Sequence, residues 1–471
     1  MVWLILSAVL LVAGFPAIGT AGAVWLLAGS QLALLLGQLK TRRLSGVGGF
    51  VFFSFLFFGI RPIYVLTEND YALFTKLFQL RADLSTITSA MWWASAALWC
   101  FAAGATCAAS FNRAYLRRRR ALNAHKIIVY NVPRQAVAIL LMLQLITLPF
   151  MWALANVEGL YRSGFGAYLY DLPVLLQSVH IFAALVLVDK CLRRRSSPDF
   201  IIATLSIGLL LTFSWLMRDV SNFRSFYLTG LLIAGLAMLQ MTKPRVGLLW
   251  LIVPFILFQP LFAYLGSSRF LANEELLNND TLEEVLPEQT LPESYWHFYR
   301  HNGDMNIFDT FVAAKETKPS FRPYLWSWIY VPFHLIPRAV WENKPKAGIT
   351  MDMSFTRGAP YSPGIAGFFL RDGGLAWMLA NMLILGYIIA FADWWVATMS
   401  RSYLQCCLIA ILAVNGMYLS RFFLWQYFYQ ILYATIPCVA LAWYLRRHAR
   451  RTGAMLSVRH SGYSPKAPAS M

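Results

Sequence analysis

The sequence predicts an all-α fold, a polytopic bundle of about twelve transmembrane helices with one large loop between spans 9 and 10. Three observations carry this: a composition too apolar for a soluble surface, apolar runs that recur at span length, and basic clusters that alternate from loop to loop. Of 471 residues, 58% are hydrophobic and 13% charged, against about 25% charged in a soluble domain, whose surface must face water. The net charge of +18 would point to nucleic acid in a soluble chain, but here it lies between apolar runs, at Lys40–Arg43, Arg117–Arg120, Arg193–Arg195 and Arg446–Arg451. That placement orients a chain in a bilayer, so the partner it implies is the bilayer and not nucleic acid.

A span needs roughly 20 apolar residues. Such runs lie near 3–18, 20–38, 48–66, 86–110, 134–156, 172–188, 200–217, 225–241, 246–266, 373–392, 404–420 and 424–445. The chain therefore divides into nine spans over 1–266, a loop over 267–372, three spans over 373–445 and a basic tail over 446–471 that is expected to be disordered. Loop charge tests this layout independently. Loops on one side, with both ends, sum to +20, and those on the other side to −2. By the positive-inside rule both termini are cytoplasmic. The first run lacks a basic leader and a small-residue cleavage site, so it is expected to be retained. Cys191 is read in a basic loop and the other five cysteines within spans, which leaves no disulfide framework.

The loop Ser267–Asp372 is the one long extramembrane segment. It is acidic from Glu274 to Glu293, and the helical spacing of Asp304, Phe308, Phe311 and Val312 predicts an amphipathic helix ending before Pro319. The apolar run Tyr324–Ile336 is too short to span and reads as interfacial or re-entrant.

The span interiors read as free of charge, with Asn415, Gln426, Gln430 and His180 as their polar side chains. A transporter of charged sugar lipids would line a central path with ionisable groups, so this pattern argues against an exporter. Arg162, Arg218, Arg224 and Arg421 fall at outer helix ends, and the loop adds Arg338, Lys344 and Lys346 between Pro337 and Pro345 or beside them. A planar guanidinium fork suits phosphate oxygens, so these residues could hold a lipid-linked diphosphate, or else anchor helix ends at headgroups. Asp304, Asp309, His334 and Glu342 lie on the same side and could accept a proton; Asp304 and Asp309 could equally cap or solvate their helix. His297 and His301 have no third ligand at a sensible spacing, and no metal or cofactor site is expected.

Five segments in order, FVFFSFLFFGIRPIYVL, RDVSNFRSFYLTGLL, GDMNIFDTF, IPRAVWENKP and YSPGIAGFFLRDGG, resemble the Wzy-type oligosaccharide repeat-unit polymerases of bacterial envelope polysaccharide synthesis. The resemblance covers the layout of nearly the whole chain. It implies a fold similar to the GT-C glycosyltransferases, an inner-membrane location and a periplasmic loop. It also implies a metal-independent transfer of glycan from undecaprenyl diphosphate to the next carrier-linked repeat unit. A Wzz-type chain-length regulator and a Wzx-type flippase are the partners it implies. The arginine motif of part of the family, Arg followed ten residues on by Gly, is met by Arg338 and Gly348 but in a different surrounding loop. On this reading Arg224, Arg338, Arg421, Glu342, Asp309 and His334 are the catalytic candidates, and Arg162, Arg218 and Lys344 bind diphosphate. Two rivals share the layout: an O-antigen ligase acting on lipid A core, and a non-enzymatic export or assembly component.

Overall fold

The computed structural model describes residues 19–41, 43–67, 83–115, 118, 127–129, 132–156, 172–194, 196–220, 225–243, 246–256, 307–316, 326–334, 341, 362–420, 424–451 and 457–459. In chain order the elements are α1 (Gly19–Lys40), α2 (Gly46–Thr67), α3 (Leu84–Phe111), β1 (Ile127–Val129), α4 (Arg134–Asn156), α5 (Leu172–Arg194), α6 (Ser197–Val220) and α7 (Ser225–Thr242). The second half adds α8 (Ile307–Glu316), α9 (Trp326–His334), α10 (Gly364–Ala397), α11 (Tyr403–Leu419), α12 (Leu424–Arg451) and β2 (Ser457–Arg459). Among the described residues eight helices, α1 to α6 with α10 and α12, are long and apolar enough to cross a membrane. The chain is a multi-pass membrane protein. Ten of the expected spans coincide with a helix, although α7 and α11 are shorter. The run at 3–18 lies outside the described residues, and that at 246–266 is seen as a helix over 249–256.

The chain falls into two compact units. The first comprises Met1–Ala108, Arg245–Ala390 and Leu412–Ile431; the second comprises Ala109–Pro244, Phe391–Ile411 and Leu432–Met471.

In the first unit glycine sets how closely helices approach, because lipid tails give apolar helices no hydrophobic reason to associate. A Cβ on Gly104 of α3 would strike the Leu383 carbonyl of α10, and one on Gly386 of α10 would strike the Phe101 carbonyl of α3. Gly49 and Gly416 play the same reciprocal part for α2 and α11. Within α10, Gly374 has φ +81°, which only glycine adopts cheaply, and the helix breaks there. The break separates 364–372, expected as loop, from the span that follows.

In the second unit polar side chains tie the bundle together. Gln144 of α4 donates to the His180 and Ser206 carbonyls, at 3.4 and 3.2 Å, and accepts from Ser206 Oγ at 2.8 Å. His180 Nε2 lies 2.7 Å from Thr147 Oγ1, and its ring packs 4.3 Å from that of Phe213. At one end Asp189 accepts from Arg193 Nε at 2.8 Å and from the Tyr403 hydroxyl at 2.5 Å, and Lys190 pairs with Asp199 at 3.0 Å. Arg401 caps the last carbonyls of α7, reaching Gln240 and Met241 at 2.9 Å each.

Two expectations are corrected here. Cys191 lies inside α5, because the helix runs on through Arg194. In the tail α12 continues to Arg451, and β2 pairs antiparallel with β1, Ile127 opposite Arg459 and Val129 opposite Ser457, while 452–456 and 460–471 lie outside the described residues. The all-α expectation thus needs one small two-stranded pairing added.

Candidate functional site

An arginine sits in the middle of an apolar helix, and the sequence around it explains its presentation. Pro62 has no N–H, so the Phe58 carbonyl four residues earlier loses its usual helical donor. The turn Leu56–Ile60 widens into a π-helix, in which the Arg61 N–H donates to the Leu56 carbonyl. Single π-turns inside α-helices mark places where the ladder is opened to re-aim a side chain, often at functional sites. The Phe58 carbonyl is met instead by Gln31 Nε2 of α1 at 3.2 Å, and the same nitrogen lies 2.8 Å from Ser95 Oγ of α3. Gly59 makes room for this, since a Cβ there would press on the Phe55 ring and Gln31 Oε1.

The re-aimed Arg61 meets Asp309, 248 positions later in the chain. Its Nε and Nη2 both donate to Asp309 Oδ2, at 3.2 and 2.8 Å, with side-chain exposures of 1% and 0%. The Tyr64 ring lies 5.4 Å from the guanidinium, within cation–π range.

Asp309 is delivered by α8, whose residues from Ile307 to Ala314 are all buried. The expected amphipathic helix is therefore corrected. The helix does end before Pro319, but from Ile307 to Ala314 it has no exposed face, and Asp309 and Thr310, which make it read as polar on one side, are both fully buried. Solvation as the role of Asp309 is excluded with it. Phe58 packs edge-on against Phe308 and Phe311 at 6.4 and 5.5 Å. A Cβ on Gly364, at φ +68°, would strike the Ser420 carbonyl and crowd Ile307 and Phe58, and one on Gly367 would crowd Phe311. Beside this centre lies a cavity of about 10 Å³ lined by Phe50, Ser54, Phe58, Leu98, Ile365 and Ser420, room for a single water.

The second loop helix, α9, is also tied to its unit. Trp328 Nε1 donates to Asn381 Oδ1 at 2.5 Å, the Tyr429 hydroxyl donates to the Val331 carbonyl at 2.5 Å, and Ser327 Oγ bonds Asp372. At the exit of α8, Lys315 lies 5.3 Å over the Trp93 ring.

The reading of the spans as uncharged is overturned by Arg61. The signal was present: an ionisable residue inside a span costs several kcal/mol and is by default a functional hypothesis, and FFGIRPIY contains one. Of the expected site residues, Asp309 is the one whose side chain is described. Arg218 and His334 lie near the ends of α6 and α9. Arg162, Arg224, Arg338, Arg421, Glu342 and Lys344 lie outside the described residues, as do Asp304, His297 and His301. Among the described residues no three His, Cys, Asp or Glu side chains gather as a metal site would require. Comparison with family models, with curated proteins and with solved structures returns no match.

Proposed function

We propose that the chain is a Wzy-type polymerase, a glycosyltransferase that joins undecaprenyl-diphosphate-linked oligosaccharide repeat units on the periplasmic face to make an O-antigen, capsule or exopolysaccharide. One observation carries the reading. The described parts of three of the five segments on which the resemblance rests, 50–66, 307–311 and 362–374, are brought together around Arg61 and Asp309. A buried ion pair costs desolvation that apolar packing would not. Spending it where those three segments meet supports a role for that centre in the chemistry they share.

On this reading the acceptor sugar hydroxyl attacks the anomeric carbon of the donor, a new C–O bond forms, and the bond to the carrier diphosphate breaks. Arg224, Arg338 and Arg421 hold the departing diphosphate, with Arg162, Arg218 and Lys344 beside them. Fixed positive charge in a partly dry site stabilises that developing anion by several kcal/mol. Glu342 or His334 takes the proton of the acceptor hydroxyl. Asp309 is the third candidate for taking that proton; its Oδ2 accepts from Arg61, and the pair fixes α8 against α2. The remaining parts of the proposal are the twelve-span count, a GT-C-like fold, cytoplasmic termini, and a place in the bacterial inner membrane beside Wzz-type and Wzx-type partners.

The test is complementation of a strain deleted for this gene. Restored long polymer supports a polymerase, with single-repeat surface glycan in the deletion. Accumulated carrier-linked long polymer in the deletion would assign a ligase instead.

A further inference from the structure

The second unit gathers positive charge at one end, beyond what its own carboxylates use. From Arg113 to Lys126 the chain carries six basic residues, and from Arg446 to Arg459 five, with no Asp or Glu in either stretch. β1, which follows the first stretch in sequence, pairs with β2, which holds the last residues of the second. A contact between His448 and Gln135, at 3.2 Å, joins the end of α12 to the start of α4 at the same end. Arg134 and Arg447, next in sequence to these two residues, are exposed, as are Arg113 and Arg118 in the stretch that follows α3, and none of the four makes an ion pair among the described residues. Two acids of this unit are occupied elsewhere: Asp189 by Arg193 and Tyr403, Asp199 by Lys190 and Ser196.

The neighbouring surface is that of a membrane boundary. Trp443 is 59% exposed, on a helix long and apolar enough to span, and the Arg447 guanidinium lies 5.2 Å over its ring. An exposed Trp one turn before an arginine marks the level where hydrocarbon gives way to headgroups. Arg447 lies at that level, where water and anionic headgroups compete for it.

We propose that this end of the second unit is a binding surface for anionic phospholipid headgroups, built by the strand pairing of the tail with the α3–α4 connection. The lipid's phosphate is held by Arg113, Arg118, Arg134 and Arg447. Basic clusters beside a span gain about 1 kcal/mol per Lys or Arg from an anionic leaflet, a factor of about five each.

The test uses the full chain in nanodiscs of equal phosphatidylglycerol and phosphatidylcholine, with the lipids it retains on release counted by native mass spectrometry. The wild-type chain is expected to keep phosphatidylglycerol in preference. The variant R113Q/R118Q/R134Q/R447Q is expected to lose that preference by about ten-fold or more, and a chain ending at residue 452, which lacks β2, to lose part of it. The four Arg→Lys replacements together keep the charge and are expected to keep the preference. Equal retention of the two lipids by the wild-type chain overturns the proposal, as does an unchanged preference in the Gln variant. Displacement of the lipid by inorganic phosphate at low millimolar concentration would also overturn it, since the surface would then serve a soluble anion.

Discussion

Arg61 keeps its place in an apolar helix because each consequence of putting it there is met by a neighbour: Asp309 takes its charge, Tyr64 its face, and Gln31 the carbonyl that Pro62 strands. Removing one partner of such a pair leaves an uncompensated buried charge and costs about 3–5 kcal/mol, whereas replacing both with apolar residues of similar size is often neutral or better. Arg61→Met and Asp309→Leu are therefore each expected to lower the unfolding temperature of the detergent-purified protein, and the double variant to recover most of the loss. A double variant as unstable as the sum of the singles would show that the two residues do not act as a pair. Activity separates stability from function: the recovered double variant is expected to make short polymer or none. Gln31→Leu leaves the Phe58 carbonyl without that donor and is expected to cost about 1–3 kcal/mol, read in the same unfolding measurement.

Helices meet in the first unit where glycine permits it. Gly104→Ala and Gly386→Ala push α3 and α10 apart and are expected to reduce the amount of folded protein in the membrane, whereas Gly29→Ala and Gly37→Ala, which face open space, are expected to leave it unchanged. At the start of α3, Asp83 accepts from the Thr86 N–H at 2.8 Å and from Ser85 Oγ at 2.9 Å, which holds its carboxyl below the usual 3.8. A carboxyl depressed in the folded state contributes stability above its unfolded pKa and loses it as pH falls through the folded value. The acid-side loss of stability below about pH 4 is therefore expected to be smaller in Asp83→Asn than in the native chain, by unfolding scans across that range. The helices were legible because hydropathy is a local property of the sequence, and ten of the expected apolar runs coincide with helices, eight of them among the described residues long and apolar enough to cross a membrane. The centre was not. Asp309 looks like a first-turn acid on an amphipathic helix, and only its meeting with an arginine 248 positions away makes it a buried partner. The β1–β2 pairing was hidden for the same reason, as three-residue strands carry no period of their own.

For the whole molecule, the proposed topology places the loop Ser267–Asp372 on the side whose loops carry net negative charge, opposite both termini. A cysteine at position 279 in place of Asn279 is expected to react with an impermeant thiol reagent in cells whose inner membrane is intact. Reaction only after that membrane is breached would reverse the topology. The arginines proposed to hold diphosphate come from three distant parts of the chain, Arg224, Arg338 and Arg421, and the proposed topology puts all three on that side. Lysine keeps their charge but not the planar fork, so a diphosphate site is expected to suffer from Arg→Lys where a headgroup anchor would not. The most direct measurement reconstitutes the purified chain in proteoliposomes with an undecaprenyl-diphosphate-linked repeat unit as both donor and acceptor, and resolves the products by length. A ladder of carrier-linked oligomers from the native chain, shortened by R338K and R421K and absent with R338A and R421A, is the expected result. Unextended repeat unit from the native chain, or a full ladder from the alanine variants, would contradict the account.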